Sequence, residues 1–254
     1  MSPVDRRTAL GSVAGAGVAL GLTARPASAA PPTTVPSVAA TREEAGRKPL
    51  RVDIVAYDGV EELDLFGPLE VFAGAEAMGY PVSTRLVTGG RPGRITMRLG
   101  IDVTVTGRWE PEKADVIVVP GGGFRDRVGP GIWAEIDKGT LPRALRAAAR
   151  PSLTLLGICT GVVLLHASGL VGGKPCTTHS GARPYLREKG ADVRDVRVVD
   201  AGDLVCGAGV SSGVDSALWM IEREVGSKAA GDVERLLEFE RRGTVLLAGE
   251  GGRG

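Results

Sequence analysis

Ser152-Leu153-Thr154-Leu155-Leu156, then Gly157-Ile158-Cys159-Thr160-Gly161, then Val162-Val163-Leu164-Leu165: this stretch decides how the chain folds. A β-like apolar run, a glycine-flanked reactive residue and a helical run form the layout of a nucleophile elbow. The glycines at 157 and 161 let the backbone turn sharply and let the following helix approach the sheet. Such a turn sets Cys159 at the C-terminal edge of the sheet, where the helix N-terminus is expected to lower its thiol pKa. A buried structural cysteine is the plainer reading of so short a motif. The rest of the chain decides between the two.

Outward from the elbow, strand-like and helix-like runs alternate, the pattern of an α/β fold around a mostly parallel sheet. Arg51–Tyr57 and Val82–Thr88 read as strands around a helix at Leu63–Met78, and Ile95–Thr106 as a hairpin broken at Gly100. Asp115–Val119 is a buried central strand stopped by Pro120, and Thr140–Arg150 an amphipathic helix. After the elbow helix, Thr160–Ser168, come β segments at Arg194–Val199 and Leu204–Ala208, a helix from Gly213 to Val225, and a charged helix at Asp232–Arg241. The expected architecture is a three-layer, doubly wound, flavodoxin-like domain over residues 50–245, with a glycine-rich tail at 246–254.

Residues 1–29 read as a targeting segment rather than as fold. Arg6-Arg7, an apolar but glycine-diluted run from Ala9 to Leu22, and the small-residue site Ala27-Ser28-Ala29 suggest a twin-arginine signal. The export machinery is then the partner of the N-terminus and the mature protein lies outside the cytoplasm. Residues 30–49 form a linker too polar and proline-rich to pack. With 31 basic and 30 acidic residues the chain makes no electrostatic case for nucleic acid, and no later run is long and apolar enough to span a membrane.

An odd count of three cysteines leaves at least one unpaired within the chain. Cys159 is the candidate free thiol. Cys176 and Cys206 read either as two buried thiols or as a bridge between neighbouring strands. Two scattered histidines and separated cysteines lack metal-ligand spacing, so neither metal nor cofactor is expected.

In a parallel sheet the loops after the strands gather at one edge. The chain carries L-D-L-F-G-P-L-E-V-F (63–72), V-V-P-G-G-G (118–123), G-I-C-T-G (157–161), A-S-G-L-V-G-G-K leading into T-T-H (167–179), and G-A-G-V-S-S-G-V-D (207–215). Together, and in this order over about residues 50–225, these motifs resemble the ThiJ/PfpI superfamily, the class I glutamine amidotransferase-like fold. Within it they are most similar to the isonitrile hydratase branch.

That resemblance implies a role for each residue. Cys159 would be the nucleophile. The amides of Gly122 and Thr160 would form an oxyanion-hole-like pair, the Thr160 hydroxyl would bond substrate or water, and Asp64 would act as acid and base beside the thiol. Asp64 and Thr160 also suit helix capping. His179 falls where a histidine that orients or deprotonates the cysteine is found, whereas His166 sits two turns into the elbow helix and suits packing. The implied activity is hydration of an isonitrile, or a similar small electrophile, to an N-substituted formamide by a homodimer. Alternatives are glyoxalase-, deglycase- or hydrolase-like chemistry on small carbonyls, or a secreted small-molecule binder or redox sensor. Thr160, where peptidase-like members carry histidine, disfavours proteolysis. Glu240-Arg241-Arg242-Gly243, in place of a proline-rich segment, departs from the branch, as does the export signal.

Overall fold

The computed structural model describes residues 48–248. The proposed signal at 1–29 and the linker up to residue 47 lie outside the described residues, as do residues 249–254 of the tail.

Seven strands form one sheet in the order β2 (Val82–Val87), β1 (Leu50–Val55), β5 (Val116–Val119), β6 (Thr154–Ile158), β8 (Leu204–Gly207), β7 (Val198–Asp200), β9 (Val245–Leu247). All neighbours are parallel except β7 and β8. A separate antiparallel hairpin joins β3 (Gly93–Thr96) to β4 (Asp102–Val105) across the expected break at Gly100. The helices are α1 (Glu62–Ala77), α2 (Ile132–Lys138), α3 (Thr140–Ala148), α4 (Gly161–Ala167), α5 (Arg183–Glu188), α6 (Ser212–Glu224) and α7 (Ser227–Leu236). All four residues of β5 are buried, as a parallel strand covered on both faces requires. The fold is the expected α/β sheet flanked by helices.

The strand order reverses between β1 and β5, so their outgoing loops diverge and leave a crevice at the C-terminal ends. The loop after β1 leads into α1, the one after β5 carries the glycine run, and the one after β6 is the elbow. Helix α4 seats against this edge because residue 161 is glycine. A Cβ there would stand 2.0 Å from the Val119 carbonyl oxygen and 2.7 Å from that of Pro120.

Several expectations need correction. The charged helix expected at 232–241 begins and ends five residues earlier, at Ser227–Leu236, since Ala229, Ala230, Asp232 and Val233 form its buried face. Glu238, at φ 47°, ends any continuation. Arg241 then bonds Glu222 and Glu234, and the Arg242 N–H donates to Asp215 at 2.7 Å. The strand expected from Arg194 begins only at Val198. The tail does not start at 246, because Leu246 and Leu247 lie in β9 and the Ala248 N–H donates to the Asp200 carbonyl. Helices α2 and α5 were not expected. Cys176 and Cys206 are both buried, unbridged thiols.

Candidate active site

Cys159 sits at φ 54°, the left-handed turn that a strand-to-helix elbow imposes on the residue at its apex. Its main chain is tied on both sides. The Cys159 N–H donates to the Gly207 carbonyl at 2.9 Å, and the Thr178 hydroxyl donates to the Cys159 carbonyl at 2.7 Å. The end of β8 and the loop carrying Thr178 therefore both fix this one residue. Cys159 is 6% exposed and opens on a cleft of about 450 Å³ whose walls include Gly122, Thr160, His179 and Val210.

Gly209 presses on the cysteine from the far side. At φ 79°, a Cβ on it would lie 2.3 Å from the Cys159 Cβ and 2.8 Å from Sγ. Gly209→Ala is expected to displace the thiol or push the loop outward, and to slow Cys159 alkylation by about 10²-fold, the usual cost of an ångström-scale misplacement. Mass spectrometry of the cysteine-bearing peptide measures this, and an unchanged rate refutes the contact.

Asp64 lies in the first turn of α1, whose N-cap is Glu61, so it is not the cap that its residue type suggested. It is fully buried. Its Oδ2 accepts from the Gly121 N–H at 3.1 Å, Oδ1 has no hydrogen-bond partner among the described residues, and the Cys159 thiol stands beside the carboxyl. Burial raises the Asp64 pKa to about 7 against the weaker pull of the Cys159 and Gly121 contacts. Burial, and then the Asp64 charge, push the Cys159 thiol well up, although the Thr160 amide and hydroxyl favour the thiolate. The expectation of a lowered thiol pKa is thus overturned. A helix of seven residues offers less stabilisation than burial beside a carboxylate removes. The two groups titrate as a pair over one shared proton.

Thr160 precedes α4 without a side-chain cap bond. Its hydroxyl instead accepts from the Gly122 N–H at 3.0 Å. The Gly122 amide is therefore engaged with Thr160 rather than open to the cleft, which departs from the expected pair of free donors; the Thr160 amide points at sulfur. His179 shares the cleft, but its Nδ1 accepts from the Gly181 N–H at 3.1 Å, and no hydrogen bond joins it to Cys159 among the described residues. His166 lies on α4, away from the cleft lining.

Further residues complete the rim, and of these only Val210 lies in one of the sequence motifs. Arg98, paired with Glu61 at 3.3 Å, and Phe124, Arg125 and Val210 line the opening. Phe124 belongs to an aromatic group with Trp133 and Tyr185 at centroid separations of 5.4 and 6.0 Å. The glycine run before Phe124 was the available signal for that wall. Arg98 carried none, being brought in by the hairpin.

The chain is 33% identical over 192 residues to an isonitrile hydratase of Pseudomonas putida, covering 75% of this chain and 78% of the relative. A ThiJ/PfpI family protein of Pseudomonas syringae superposes with a TM-score of 0.69 at 22% identity, covering 84% of each chain. Drosophila melanogaster DJ-1beta does so at 0.65 and 20%, covering 76% of this chain and 99% of that one, and these two share the fold. Residues 50–223 match the DJ-1/PfpI family, which spans every element that builds the cleft, and the chain belongs to that family.

Proposed function

We propose that the protein hydrates small isonitriles to N-substituted formamides, with Cys159 as nucleophile and Asp64 as acid and base. The carrying observation is the buried Asp64–Cys159 pair, a carboxyl and a thiol set side by side at the cleft. An isonitrile carbon must gain both a proton and a nucleophile at one atom. A thiol and a carboxyl that share a proton deliver both to the same place. The 33% identity to an isonitrile hydratase supports the same reading.

In the first step the shared proton goes to the isonitrile carbon and the sulfur lone pair forms a C–S bond, giving a thioimidate, R–N=CH–S–Cys159. Asp64 is left as carboxylate. In the second step a water adds to the thioimidate carbon, with Asp64 taking its proton and passing one to nitrogen. The resulting S–CH(OH)–NHR collapses by breaking C–S, expelling the sulfur and releasing R–NH–CHO, and the hydroxyl proton returns to the pair. Net, one water is consumed and the pair regains its proton. The Thr160 amide, already aimed at sulfur, stabilises the thiolate as it leaves.

Purified protein mixed with cyclohexyl isocyanide tests the reading through loss of the isonitrile stretch and appearance of formamide. Catalytic turnover is expected. Absence of formamide with folded protein and a reduced, alkylatable Cys159 overturns it. Twin-arginine export and homodimerisation belong to the same proposal, checked by the N-terminal sequence of protein recovered outside the cytoplasm and by its mass in solution.

A further inference from the structure

Among the described residues Asp64 receives one main-chain donor, the Gly121 N–H, so whatever aims that donor governs the acid. Tyr57 follows β1, is 5% exposed, and donates its hydroxyl to the Pro120 carbonyl at 2.8 Å. The Pro120 carbonyl and the Gly121 N–H belong to one planar trans peptide and point to opposite sides of it. One side meets the Tyr57 hydroxyl and the other donates to Asp64 Oδ2 at 3.1 Å. Glycine 121 supplies no side chain to hold that plane, and none would fit, since a Cβ would lie 2.4 Å from Thr160 Oγ1. The Gly121 carbonyl, which accepts from the Glu61 N–H at 2.8 Å, anchors the next peptide unit, not this one.

We propose that Tyr57 is a positioning residue whose hydroxyl, acting through the Pro120–Gly121 peptide, keeps a backbone donor aimed at Asp64. Without the hydroxyl, the buried Pro120 carbonyl loses its donor, and the glycine-linked plane is free to turn the Gly121 N–H away. Loss of a donor to the ionised carboxyl favours its protonated form. The charged or titratable groups facing Asp64 are Cys159 and Glu61, and those facing Tyr57 are Asp64, Cys159 and Glu135. Tyr57→Phe leaves all of them in place. Burial holds the Tyr57 hydroxyl well above its ordinary pKa, so it remains a donor across the working range.

The test follows Cys159 alkylation by iodoacetamide against pH, on the whole protein, by mass spectrometry. It needs no substrate, so its outcome is separate from that of isonitrile hydration. Alkylation rises as the Asp64–Cys159 pair gives up its first proton, because only then does the pair include a thiolate form. Tyr57→Phe is expected to move the midpoint of that rise upward by about 0.5–1 pH unit. The same substitution in an Asp64→Asn background is expected to move nothing. A Tyr57→Phe profile that coincides with wild type overturns the proposal. So does an equal shift with and without Asp64, since a packing role would act in both backgrounds. Thermal melts at pH 5 establish that all four proteins are folded.

Discussion

Cys159→Ala is expected to lower isonitrile turnover by at least about 10³-fold while leaving the fold intact, the pattern for loss of a covalent nucleophile. Neither a hydroxyl nor a second thiol stands ready to replace Cys159 among the described residues. The Thr160 hydroxyl is held by the Gly122 amide, and Cys176 and Cys206 are fully buried elsewhere. The apex of the elbow survives because main-chain groups hold it. The bond from the Cys159 N–H to Gly207 and the one from the Thr178 hydroxyl do not involve sulfur. Alanine accepts the φ of 54° as well as cysteine does. A melting temperature within a few degrees of wild type, since the main-chain anchors remain, together with abolished formamide production, is therefore the expected result. Cys159→Ser sharpens it, since a hydroxyl keeps the shape but ionises far less readily. A serine or alanine protein that turns over at wild-type rate would show that water alone, not sulfur, attacks the isonitrile carbon.

How much of this was legible in the sequence depended on the range of the interaction. The elbow was legible because Gly157 and Gly161 bracket Cys159 between two apolar runs, and β6 and α4 fall there. The buried run at 116–119 was equally plain, as was the helix bearing Asp64. Short helices such as α5, six residues long, carry too few periodic positions to announce themselves. Strand β9 was hidden because its signal is the edge of β7, about 45 residues earlier. The sign of the Cys159 shift is not legible in the sequence, for a related reason. Sequence displays the helix that follows the cysteine, but not the Asp64 carboxyl that folding buries beside it. The same holds for Gly122, whose amide looked free until the fold brought the Thr160 hydroxyl to it.

Asp64→Asn is expected to push activity and stability in opposite directions, and the stability gain should appear only as pH rises. In the folded chain the Asp64 pKa is raised from 3.8 to about 7, with burial as its largest cause. Between those two values the unfolded chain has lost the proton while the folded chain retains it. Stability linked to this group is thus fully present below pH 4 and lost as pH rises through 7. Asparagine has nothing to ionise. Its carbonyl oxygen can still accept from the Gly121 N–H. The difference in unfolding free energy between variant and wild type should therefore be flat below pH 4. It should grow in favour of the variant to an order of 2–4 kcal/mol by pH 8. Turnover should fall by about 10²–10⁴-fold, because the proton donor to the isonitrile carbon and the base for water are one group. Urea unfolding at pH 4, 6 and 8 beside formamide assays checks both halves. A stability difference independent of pH would mean that Asp64 is ionised throughout, and the acid step would then need another donor.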